Sequence, residues 1–158
     1  MALPETTRNA LSGSVQLLIE HPDVRQRLVE DPSLIRNAVE EMLRVVTPVN
    51  SFGRTVLKDT EVRGQKMKAG DRILLLYGSA NRDPETFADP ERFDIERRPQ
   101  HVGFGIGSHF CLGANLARME LRVALTQLLR RLPDMEYADE HGAVLQPSSL
   151  VRTCTSMR

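Results

Sequence analysis

The sequence predicts an α+β fold that is mainly helical. Three observations predict it. Residues 5–46 carry apolar side chains at helical spacing, broken at prolines. Residues 51–76 switch to short β-prone runs divided by Lys-Asp, Arg-Gly and Ala-Gly pairs. A second strongly helical run follows the segment FGIGSHFCLG at 104–113. Helices, then strands, then loop, then helix is an α+β order and not that of alternating βαβ units.

Leu11, Val15 and Leu18 fall at i, i+4 and i+7, so residues 5–20 read as an amphipathic helix that ends at His21-Pro22. Pro22 suits the first turn of a second helix over 23–30, stopped by Asp31-Pro32. Ser33 reads as the cap of a third helix through Val46, with the stripe Ile35, Ala38/Val39, Met42 and Val45/Val46; Pro48 closes it. Two or three strands of one small sheet are expected near 51–56, 60–63 and 71–76. The stretch NRDPETFADPERFDIERRPQ, 81–100, reads as an ordered meander with one short helix at 84–87, because Phe87, Phe93 and Ile95 give it bulk to bury. Residues 114–132 form a long helix, and strands are expected near 134–138 and 149–154.

The 158 residues suffice for one ordinary core, read as a single partial domain over 1–158. Lys plus Arg and Asp plus Glu balance at 21 each, which argues against nucleic acid or an anionic membrane as partner. The start, MALPETTRN, has no apolar leader, and the longest apolar run, ILLLY at 73–77, is too short to span a bilayer. The expected location is cytoplasmic. The first helix begins at residue 5 without a structured lead-in, which reads as a cut start. Two cysteines, Cys111 and Cys154, make no disulfide framework.

Cys111 stands where a glycine loop runs into a helix N-terminus. Backbone N–H groups and the helix dipole stabilise a thiolate there. Gly105 and Gly107 permit the tight turn this needs, and Gly113 leaves room for a large flat ligand to approach. Such a thiolate suits a metal. A buried structural cysteine, a Cys–His nucleophile with His109, and zinc through Cys111, His109, His101 and Cys154 are the alternatives. The zinc set lacks any usual ligand spacing. A second constellation is Glu41-x-x-Arg44 on the third helix, an i, i+3 pair half-buried beside Met42 and Leu43. A buried pair needs a further partner, which Arg97 or Arg98 of the meander could supply.

Phe104-x-x-Gly107-x-His109-x-Cys111-x-Gly113 resembles the haem-binding signature of the cytochrome P-450 family. Glu41-x-x-Arg44 resembles its K-helix motif, Asp89-Pro90-Glu91-Arg92-Phe93 its meander signature, and Glu5-Thr6-Thr7 the acid–threonine step of its I helix. The texture is that of bacterial members. The resemblance covers the whole chain but only the C-terminal part of the family domain. It implies I-, J-, K- and L-type helices, a small sheet, a meander and a cysteine-ligand loop. It implies haem b, with Cys111 as the thiolate on iron and Phe104 and Gly105 and Gly113 around it. It implies that Arg54, His101 and His109 meet the haem propionates. Glu41, Arg44 and Arg97 become a structural ion triad, with Arg98 the alternative. Glu5 and Thr6 become the proton-carrying pair, although the family's glycine at the I-helix bulge is Leu3 here. Val45, Val46 and 49–52 become candidates for lining a pocket. The implied activity is monooxygenation of an apolar organic substrate with O2, fed by a ferredoxin-type donor and its reductase. A non-catalytic remnant or one half of a split enzyme is the alternative, with self-association through the surface left by a missing N-terminal part.

Overall fold

The computed structural model describes residues 3–140, 142–148 and 150–157, with Leu3 and Pro4 described by backbone alone. Helix α1 spans Leu3–Glu20, α2 Pro22–Glu30 and α3 Ile35–Val46. Between α2 and α3 lies a 3-10 turn over Pro32–Leu34. Its cap is Asp31 and not Ser33: the Asp31 carboxylate accepts the Ser33 N–H at 3.0 Å. An aspartate already at the Ncap position leaves the serine inside the turn. Helix α3 runs into Thr47, which takes a left-handed φ of 41° while its hydroxyl donates to the Arg44 carbonyl at 2.6 Å.

The helices bury one stripe each. Leu18 of α1, Val24 and Leu28 of α2, and Ala38, Val39 and Met42 of α3 meet Leu121, Leu125 and Leu129 of α5, which spans Ala114–Arg131. Phe93 and Ile95 reach the same core from the meander, which explains its order without regular structure. Helices α1 and α3 touch at Gly13, where an added Cβ would stand 2.5 Å from Val46 Cγ1 and 2.9 Å from Cγ2. Val46 is β-branched and cannot swing away. Gly13→Val is therefore expected to destabilise the chain by about 3 kcal/mol, read as a lowered urea midpoint at unchanged slope.

The strands do not form one sheet. Strand β1, Ser51–Thr55, pairs antiparallel with β4, Arg72–Leu76, and Ser51 faces Leu76. Strands β2, Thr60–Val62, and β3, Gln65–Met67, form a separate hairpin. Arg63 and Gly64 turn it, both at positive φ (47° and 81°), a two-residue turn whose twist matches that of the strands. The short helix expected at 84–87 lies earlier, as α4 over Tyr77–Ala80. At 84–87 Asp83 closes a turn instead: its carboxylate accepts Glu85 N–H at 2.9 Å and its carbonyl accepts Phe87 N–H at 2.8 Å. The last hairpin is also displaced. It pairs β5, Ala143–Gln146, with β6, Thr153–Met157, and residues 134–138 are not a strand. Among the described residues no helix is long and apolar enough to cross a membrane.

Candidate functional site

Cys111 sits in a loop that folds back on itself before α5. Gly105 and Gly107 hold φ of 73° and 70°, a region that side-chain-bearing residues avoid. A 3-10 turn over Gly107–His109 is closed by Phe110 N–H to Gly107 O at 3.0 Å. The Cys111 N–H then donates to Phe104 O at 2.9 Å, and Ala114 N–H donates to Cys111 O at 3.2 Å. Gly113 has an ordinary φ of −84° at the start of α5, so the backbone alone does not demand glycine there. The Cys111 thiol is exposed and free. Its neighbours in sequence are apolar and exposed as well: Ile106 at 75%, Phe110 at 50% and Leu112 at 102%. Phe104 points the other way and packs against the core.

The candidate propionate ligands divide. His109 lies exposed on the 3-10 turn. Arg54 lies exposed on β1, donating Nη1 to Gly53 O at 2.8 Å, with its guanidinium 5.8 Å from the Phe52 ring. His101 is turned inward, its side chain 3% exposed. Its Nδ1 accepts Gly103 N–H at 3.1 Å, so Nε2 carries the proton and donates to Glu40 Oε2 at 3.2 Å. Glu5 is exposed on the first turn of α1, 3.7 Å from Arg8, and Thr6 beside it is half-buried.

Glu41 and Arg44 are wholly buried, both 0% exposed. Arg44 Nε donates to Glu41 Oε2 and Nη2 to Oε1, each at 2.8 Å. Its Nη1 donates to Asn81 O and Pro90 O, each at 2.8 Å, and Nη2 to Arg92 O at 3.1 Å. All five guanidinium donors are thus used. Glu41 Oε1 also accepts Asp94 N–H at 3.1 Å and Arg97 Nε at 3.2 Å. Arg97 reaches on to the carbonyls of Ala88 and Asp89, whereas Arg98 is exposed. The cluster ties α3 to the meander through main-chain carbonyls.

Sequence reasoning missed Glu40 and Arg118. Glu40 accepts Arg118 Nε at 2.8 Å and Nη2 at 3.0 Å, besides the His101 bond. Burial alone would push the Glu40 carboxyl up; hydrogen bonds from His101 and Arg118, with the Arg118 charge, outweigh it and bring it from 4.5 down to about 2. A carboxyl depressed in the folded state contributes stability that is full above the unfolded value of 4.5 and is lost as pH falls through about 2. Glu40→Gln is expected to flatten that part of the acid-unfolding curve, followed by circular dichroism.

The sequence model of the family described as Cytochrome P450 matches residues 1–141. The chain belongs to the cytochrome P450 family. It is 46% identical over 154 residues to the steroid C26-monooxygenase of Mycolicibacterium smegmatis, covering 97% of this chain and 38% of that one. It is 49% identical over 144 residues to the methyl-branched lipid omega-hydroxylase of Mycobacterium tuberculosis, covering 89% and 34%. The crystal structure of P450BioI in complex with a hexadec-9Z-enoic acid ligated acyl carrier protein matches with a TM-score of 0.94 at 40% identity, over 99% of this chain and 40% of that one. CYP109E1 from Bacillus megaterium in complex with testosterone matches with a TM-score of 0.95 at 38% identity, over 99% and 44%. This P450 chain thus spans less than half the length of the relatives it matches.

A P450 implies haem, and the residues present fit it. Cys111, a soft thiol, is exposed and free, and the space where a Gly107 side chain would project is open to beyond 4 Å. Exposed apolar side chains flank the thiol, and two cationic or imidazole side chains, Arg54 and His109, stay exposed.

Proposed function

We propose that this chain is the cysteine-bearing part of a haem-thiolate monooxygenase. The observation that carries the reading is the Cys111 thiol, held outward by a loop with two left-handed glycines and flanked by exposed apolar side chains. The group bound would be haem b, which with a thiolate ligand supplies activation of O2. Cys111 would hold the iron. Phe104 and Gly105 shape the turn behind the sulfur, Gly107 leaves room beside it, and Gly113 would do the same at the start of α5. Arg54 and His109 would donate to the propionates, and His101 steadies the same loop from within. Glu5 and Thr6, a carboxylate and a hydroxyl on consecutive residues of α1, would hold and pass protons. Glu41, Arg44 and Arg97 serve structure and not chemistry.

The substrate class is an apolar organic molecule; the names of the steroid and branched-lipid relatives support this. Electrons would come from a ferredoxin-type donor with its reductase, in the cytoplasm, without nucleic acid or membrane as partner. A second reading, a haem binder without turnover of its own, is favoured by the exposed apolar residues Leu116, Met119 and Val123 on α5. Those side chains also offer a surface for self-association.

The test is expression with haem supply, then a titration of bound haem per chain, reduction and addition of carbon monoxide. One haem per chain with a strongly red-shifted Soret band supports the reading. Haem bound with an ordinary band, or none bound, overturns it for these 158 residues.

A further inference from the structure

Four side chains from three segments meet between α3, the cysteine loop and α5. Glu40 grips Arg118 through both carboxylate oxygens, at 2.8 and 3.0 Å. His101 donates to the same carboxylate. The Arg118 guanidinium lies 4.6 Å from the centroid of the Phe104 ring. Phe104 in turn accepts the Cys111 N–H on its carbonyl. The His101 ring is 5.8 Å from the Phe104 ring, which is 6.3 Å from that of Phe110. The bonds that close the cluster are not local in sequence: Glu40 stands 78 residues from Arg118 and 61 from His101.

A forked carboxylate–guanidinium pair fixes a plane as well as a distance. The guanidinium carbon so held stands over the Phe104 ring, 4.6 Å from its centroid, and the backbone of Phe104 carries the bond to Cys111. The charges act too. Arg118 brings a positive charge to 4.6 Å from the centroid of the Phe104 ring, and Glu40 offsets it.

We propose that the Glu40–Arg118 pair is a clamp that positions the cysteine loop and balances the charge behind the Cys111 sulfur. Both are positioning residues, because neither touches the sulfur. The first half of the inference needs no cofactor; the second rests on the haem-thiolate reading. Lysine cannot replace Arg118, since it offers a point charge and no fork. Uncovering Arg118 would favour the electron-richer iron, and uncovering Glu40 would disfavour it.

The test begins with hydrogen exchange on the haem-free chain. Glu40→Gln, Arg118→Gln and Arg118→Lys are expected to speed exchange of the Gly105 and Cys111 amides by about tenfold while α3 amides keep their protection. Unchanged loop exchange overturns the clamp, and so does a uniform rise along the whole chain. In haem-loaded protein, Glu40→Gln is expected to raise the reduction potential and Arg118→Gln to lower it, with the double variant near the parent. Shifts of one sign, or none, overturn the charge-balancing half. A chain that takes up no haem counts against the haem reading alone, because the exchange result still decides the clamp.

Discussion

Arg44→Ala is expected to cost about 3–5 kcal/mol, a large part of the stability of an ordinary domain. The expectation comes from what would be left behind. Glu41 is wholly buried and would keep only Asp94 N–H and Arg97 Nε as partners. The carbonyls of Asn81, Pro90 and Arg92 would each lose a donor. A buried charge without its partner is far more costly than the net value of the pair it came from. Phe87 would also lose the guanidinium 5.2 Å from its ring. Arg36→Ala is the control: Arg36 is exposed on the same helix, and its loss is expected to stay within about 0.5 kcal/mol. Guanidinium unfolding of the two variants makes the comparison. A cost for Arg44→Ala no larger than the control would mean that the buried cluster is not what holds the meander to α3.

Cys111→Ala is expected to abolish any thiolate-type haem spectrum, while Cys154→Ala leaves it intact. Only Cys111 stands in the glycine loop with its thiol outward. Cys154 lies half-buried on β6, its thiol donating to Ser156 O at 3.3 Å. Neither substitution removes core volume, so loss of the band in the Cys111 variant reports ligation and not unfolding. Loss only in the Cys154 variant would sink the assignment of Cys111.

The helices were legible because their apolar period is local. The ends of α1, α2, α3 and α5 fall within a few residues of where the stripes and prolines put them. Pairing is not local, and there the sequence misleads. The β-prone runs at 51–76 give no sign that β1 seeks β4 while β2 and β3 pair with each other. Pro84-Glu85-Thr86-Phe87 has the look of a helix start, yet the Asp83 turn bonds stop it at one turn. The same limit applies to the site. The cysteine loop, written in consecutive residues, could be read outright. The pattern at Glu41 and Arg44 predicts half burial where burial is complete, because the three carbonyls that Arg44 meets lie more than 35 residues away. Arg97 and Arg98 could not be told apart by spacing; the backbone turns one toward Glu41 and the other outward. Glu40 gave no signal, since a glutamate beside a glutamate on a helix looks like a solvated face until α5 arrives with Arg118.

The haem-thiolate reading turns on a bond between the Cys111 sulfur and iron. Iron K-edge X-ray absorption on the haem-loaded chain addresses it directly. One sulfur scatterer is expected in the first shell, absent from Cys111→Ala and present in Cys154→Ala. A first shell of nitrogen and oxygen alone in the parent chain would contradict it.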